Sequence, residues 1–316
     1  MKVFVVGSVV VACSVKVTRL PLAGESLSGS TFLAEPGGKG FNLALAVSRL
    51  GVGVDGIFSV GEDLFSSVIS STFAQLGFSS EMLVRREGST GAGVAFVDPA
   101  GENCLAVCLG ANLALTADDI RSFAPRLLRS NLVAATFETP DAPIDEAFAL
   151  ARARGITTLL NPSPFRPIAP SILANTSILV VNAVEAAALG ISIPGLSMPG
   201  VSDEALQPTP AIDRLLADGV DLLIVTLGHR GAVAFRSHGP PLHQPAFEVA
   251  AVDTVGAGDA FAAGLIAGLL AGKPLNEALR SAAACGALTT LQFGAFKSFP
   301  TELSLTAFVG QNTSGQ

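Results

Sequence analysis

Short runs of β-branched and apolar residues recur along this chain, separated by alanine-rich helical segments, and that alternation restricts the folds open to it more than any other feature. The runs fall at 3–6, 56–60, 132–136, 157–160, 178–181 and 222–227, and helical patterns lie between them at 42–50, 145–154 and 212–217. None of the runs alternates apolar with polar, so each reads as a strand buried on both faces. Parallel strands of that kind need helical crossovers. The expectation is an α/β fold with a doubly wound, mostly parallel sheet. With 316 residues, 49% of them hydrophobic and 14% charged, one large core is available. The chain is read as a single domain over 1–305 followed by a C-terminal tail, 306–316, frayed at its end.

Two stretches depart from the alternation. Residues 9–34 and 90–109 read as short strands with turn residues and no long helix, with a hairpin turn within Phe96 to Asn103. Together they are expected to form a small β-rich lid over a site on the main sheet. The N-terminal apolar run, broken at Gly7-Ser8, is expected to be the first buried strand rather than a signal segment ending in a lipobox at Cys13. No run reaches the ~18 apolar residues of a membrane helix. A net charge of −7, no Lys/Arg cluster and the absence of Trp and Tyr argue against nucleic-acid binding. The four cysteines form no CxxC and are expected to be reduced core residues, in keeping with a cytoplasmic protein.

Chemistry concentrates in two glycine-rich stretches. Asp253-Thr254-Val255-Gly256-Ala257-Gly258-Asp259 follows an extended apolar run at 247–252 and precedes a buried helix at 260–267. The backbone N–H groups of Gly256, Ala257 and Gly258 then point out of a helix N-terminus, where the dipole favours a phosphate oxyanion. The flanking carboxylates offer a base and a cation ligand. In Pro36-Gly37-Gly38-Lys39-Gly40-Phe41-Asn42, glycines let a ligand approach the backbone while Lys39 and Asn42 supply donors. This is not a Walker A loop, because Gly40 follows the lysine. The G-x-G-x-x-G at 51–56 follows a helix and precedes a strand, the wrong order for a dinucleotide site. His229 reads as a solvated loop histidine.

These two stretches lie some 215 residues apart, with Gly7-Ser8, 21–25, 101–103, 110–112, Glu138, 161–164, Asn182 to Glu185 and 226–228 in order between and around them. The set resembles the signatures of the ribokinase-like (pfkB) carbohydrate kinase family from about residue 3 to residue 300. The resemblance implies an ATP-dependent kinase acting on a primary hydroxyl of a sugar. It implies Asp259 as catalytic base, Gly256, Ala257 and Gly258 as anion hole, and Gly38, Lys39, Asn42 and Glu138 as sugar contacts. It implies Asn182, Thr226 and Gly228 beside the nucleotide, Glu185 with Asn182 holding Mg²⁺ through water, and Asp253 and Ser298 beside a monovalent cation such as K⁺. A homodimer joined through the lid is a further implication. One departure stands out. Ribose-type members carry Asn and Asp where this chain has Val10 and Ala12, so two polar partners are missing from the substrate wall and ribose itself is in doubt. The alternatives are a nucleoside kinase of the same fold and a sugar-binding protein without activity.

Overall fold

The computed structural model describes residues 1–99, 103–193 and 207–312. Nine strands form the main sheet: β1 (Lys2–Val6), β4 (Gly53–Val60), β5 (Leu83–Arg85), β8 (Leu132–Thr136), β9 (Thr157–Asn161), β10 (Ile178–Asn182), β11 (Leu222–Thr226), β12 (Ala232–Arg236) and β13 (Leu242–Gln244). Their order is β13-β12-β11-β10-β9-β8-β1-β4-β5. All neighbours are parallel except β11–β12 and β12–β13.

Each expected strand run falls on a strand of this sheet, 222–227 running one residue past the end of β11, for the reason the pattern suggested. Along β1, Val3 and Val5 enter one core while Phe4 and Val6 enter the other, and all four are fully buried. Burying a side chain of this kind is worth roughly 1.5–3 kcal/mol, so residues of both parities stabilise the strand. The first face is covered by α1 (Lys39–Arg49), α2 (Leu64–Gln75), α8 (Ala257–Leu270), α9 (Leu275–Thr289), the short α10 (Ala295–Ser298) and α11 (Glu302–Gln311). The opposite face is covered by α3 (Ala117–Leu127), α4 (Asp141–Arg152), α5 (Pro170–Ala174), α6 (Ala183–Ala188) and α7 (Pro210–Ala217). A four-turn packing of α8 on α9 depends on Gly264 and Gly268, where an added Cβ would sit 2.8 and 2.9 Å from backbone atoms of α9.

A second sheet, of order β3-β2-β6-β7, comprises β2 (Val10–Lys16), β3 (Thr31–Gly37), β6 (Gly91–Val97) and β7 (Asn103–Cys108). It is antiparallel except for the β2–β6 pair. This small sheet forms the lid. The expected hairpin turn joins β6 to β7, and residues 100–102 of it lie outside the described residues.

The apolar run 247–252 lies in no strand, and its Phe247, Glu248, Val249 and Ala251 line a cavity. Two expectations are corrected. Residues 306–311 are not tail but the end of α11, started by a Thr301–Ser304 capping box and held by Leu305 in the core and by Phe308, whose ring centroid lies 5.1 Å from that of Phe247; residues 313–316 lie outside the described residues. Cys285 is buried and Cys13 partly so, but Cys104 and Cys108, on the edge strand β7, are exposed. No helix among the described residues is long and apolar enough to cross a membrane.

Candidate active site

In an open parallel sheet, ligands gather beyond the carboxyl ends of the strands where the order reverses. Here β4 lies on one side of β1 and β8 on the other. The segments leaving β1 and β8 meet at that point: Ser8 Oγ donates to Glu138 Oε2, and the same oxygen accepts the backbone N–H of Lys39 at 2.7 Å. Glu138 thus satisfies an otherwise orphaned donor at the start of α1. Gly40 allows this closeness, since a Cβ there would lie 2.4 Å from Gly7 Cα. Buried Asn112 fixes the entry to the lid by bonding both the N–H and the C=O of Val9, at 2.9 Å each.

From the far end of the chain comes α8. Gly256 caps it with φ 83°, a left-handed conformation open mainly to glycine. Asp259 follows in the first turn, only 7% exposed. Asn42 Nδ2 donates to Asp259 Oδ2 at 2.8 Å, joining the two glycine-rich stretches directly. Burial pushes the Asp259 carboxyl above the ordinary aspartate range, with Lys39 and the Asn42 hydrogen bond pulling it down and Glu138 pushing it up. Asn42 Oδ1 is buried and has no hydrogen-bond partner among the described residues.

Two cavities flank the start of α8. The first, of about 230 Å³, is lined by Val10, Ala12, Gly38, Lys39, Asn42, Glu138, Asp253, Gly256 and Asp259. The second, of about 540 Å³, is lined by Thr226, Gly228, His229, Ala257, Gly258, Phe261 and the 246–251 segment. The glycine nest therefore lies between a smaller pocket under the lid, into which Lys39, Asn42, Glu138, Asp253 and Asp259 bring polar groups, and a larger, mostly apolar cleft beyond β11. Sequence reading missed Glu35, Ser14 and Phe293, which also line the first cavity. Glu35 carries no motif signal, because only the strand register places it opposite Ala12.

Asn182, Glu185 and Ser298 line neither cavity. Asn182 and Glu185 form a capping box on α6, with Asn182 Oδ1 accepting two backbone N–H groups and Glu185 Oε2 accepting the N–H of Asn182, all at 2.9 Å. Asn182 is nevertheless the register partner of Thr226, which opens on the second cavity. Ser298 Oγ donates to Ala295 O at 2.9 Å. The Asp253 carboxylate accepts the N–H groups of Val255 and Gly294, each at 3.0 Å, tying its turn to the 293–296 loop. No cluster of three or more His, Cys, Asp or Glu suited to a metal occurs among the described residues.

Comparison with known proteins agrees with this architecture. The model of the pfkB family carbohydrate kinases matches residues 1–302. The ribokinase of Mus musculus is 32% identical over 309 residues, covering 96% of this chain and 93% of the relative. The deoxyribokinase of Salmonella typhi is 28% identical over 316 residues, covering 99% and 100%. The structure of Arabidopsis thaliana ribokinase complexed with ribose and ATP superposes with a TM-score of 0.83 at 27% identity, covering 97% of this chain and 98% of that one. Strand order, the junction of the two glycine-rich stretches at Asp259 and these likenesses converge: the chain belongs to the pfkB family of carbohydrate kinases, phosphotransferases with an alcohol group as acceptor.

Proposed function

We propose that the chain transfers the γ-phosphoryl group of ATP to a primary hydroxyl of a sugar held in the first cavity. The observation carrying this reading is the Asn42–Asp259 pair: the Asn42 amide donates to the Asp259 carboxylate at 2.8 Å, and both residues line the first cavity. A carboxylate with a raised pKa accepts a proton well as the hydroxyl attacks. Lys39 adds positive charge beside the reacting oxygens. The N–H groups at the start of α8, between the two cavities, meet the charge that develops on the moving phosphoryl group. The nucleotide occupies the second cleft, against Thr226 and Gly228.

Oxygen donors suit hard cations. Glu185, with Asn182, would hold Mg²⁺ through water, and Asp253 and Ser298 would flank K⁺. When bound, these ions neutralise phosphate charge and set the shape of the anion hole. Val10 and Ala12 offer no hydrogen-bond partner at the positions where a polar pair would read hydroxyls, so the favoured sugar places its hydroxyls there differently from ribose. The exposed thiols of Cys104 and Cys108 fit a reducing, cytoplasmic setting.

A screen of ADP release across pentoses, deoxypentoses, hexoses, ketoses and nucleosides tests the reading. A non-ribose sugar is expected to give the highest kcat/KM. Ribose turned over as well as any other compound would remove the argument from Val10 and Ala12.

A further inference from the structure

Which residues of the lid face the substrate follows from strand register. Residues opposite one another in a sheet share a face, and so do alternate residues along a strand. Ala12 pairs with Glu35 on one side and Gly93 on the other, and all three line the first cavity. Glu35 is the only acidic residue in the four lid strands. Of its neighbours on that wall, Val10, Ala12 and Ala95 are apolar and Ser14 alone is polar. It is half-buried, and among the described residues its carboxylate has one hydrogen bond, Oε1 accepting the N–H of Phe296 at 3.2 Å. A carboxylate drawn into an apolar wall costs free energy unless its remaining acceptor sites are met. Burial pushes its pKa up, with Asp253 adding to the effect and the Phe296 N–H and Lys297 opposing it. The single methyl of Ala12 directly across the strand pair leaves it room to reach a ligand.

We propose that Glu35 is the specificity-determining residue of the lid, accepting a hydrogen bond from a sugar hydroxyl that comes to lie against Ala12. The carboxylate that ribose-type members carry at the position of Ala12 is thereby supplied from the neighbouring strand, displaced across the sheet. The pocket then reads a hydroxyl in a shifted place rather than none. This assignment rests on the sugar-kinase reading above.

The competing account is that Glu35 only braces the 293–296 loop, as Lys16 does by lying 4.2 Å from the centre of the Phe293 ring. The two are separated by measuring kcat and KM for the preferred sugar and its deoxy analogues. The enzymes compared are the native protein, Glu35→Ala, Glu35→Gln and the double variant Glu35→Ala with Ala12→Asp. In the native enzyme one deoxy analogue should lose about 10- to 100-fold in kcat/KM, the loss appearing mainly in KM. Glu35→Ala should treat that analogue and the parent sugar alike, and the double variant should regain part of the discrimination. Glu35→Gln keeps an acceptor for the Phe296 N–H, so a loop brace predicts native selectivity there, whereas recognition predicts a several-fold loss. If Glu35→Ala fails to fold, this selectivity ratio decides. A uniform loss for every sugar in the Glu35 variants would overturn the assignment and leave the kinase reading standing. Absence of sugar-dependent ADP release in the native protein would overturn both.

Discussion

Asp259 is under two opposed demands, and both are measurable. In the proposed role of acceptor for the attacking hydroxyl's proton it must be ionised, yet it is buried beside Glu138, with Asn42 and the charge of Lys39 in partial compensation. Its folded pKa lies above its unfolded value of about 3.9. Below the unfolded pKa the carboxyl is protonated in both states and imposes no cost. As pH rises through the folded pKa, the native state must ionise a buried group, and stability falls. Asp259→Asn should therefore melt at higher temperature than the native protein at pH 7–8, with the difference vanishing on acidification toward the unfolded pKa. The same variant should lose about 10²- to 10⁴-fold in kcat. In the native enzyme, the acid limb of kcat/KM should fall at a pH above the ordinary aspartate range. The place of Asp259 at the start of α8 was legible because its motif is local. Glu35 was not, because which side chains share a wall depends on pairing between β2 and β3, and no local pattern records that register.

At the level of elements, the site depends on two helix starts brought together by glycines. Gly256 holds φ 83°, and a Cβ there would meet Ala295 Cβ at 3.0 Å and the Phe299 ring at 3.1 Å. Gly256→Ala should cost about 1–2 kcal/mol from the backbone conformation alone and turn the start of α8 away from the cavities. Denaturant midpoints and kcat should fall together. Gly40→Ala drives a methyl into the backbone at Gly7 and Ser8, so a loss of about 1–3 kcal/mol is expected, as for an overpacked core. The capping box on α6 gives Asn182→Ala an expected cost of about 1 kcal/mol whatever its part in catalysis, so a loss of nucleotide affinity beyond that of a comparable cap at Thr116 is the informative reading. Asn-x-x-Glu admits both readings because the residues that start a helix are also oxygen donors. The buried strands were legible from the pattern of apolar runs, while the place of the extended 247–252 segment along a cleft was not, since an apolar run lining a cleft looks the same as one inside a sheet.

For the whole molecule, the sheet places the lid and the glycine nest around one pocket, with the larger cleft across the start of α8. On the side of the lid opposite the cavity, Phe32 and Val94 are 66% and 46% exposed. The family resemblance implies a homodimer joined through the lid; if this face joins the copies, Phe32→Asp with Val94→Asp should shift the sedimentation coefficient from dimer to monomer, and an unchanged value would count against that contact. The central claim is that Asp259, gripped by Asn42, receives the proton of a sugar hydroxyl during phosphoryl transfer. Its most direct test is sugar-dependent ADP release by the native protein and by Asp259→Ala at saturating ATP, with nucleotide affinity measured in parallel. The account predicts turnover in the native protein, a loss of at least about 100-fold in the variant, and nucleotide binding unchanged within a few-fold. Turnover retained in Asp259→Ala would contradict it.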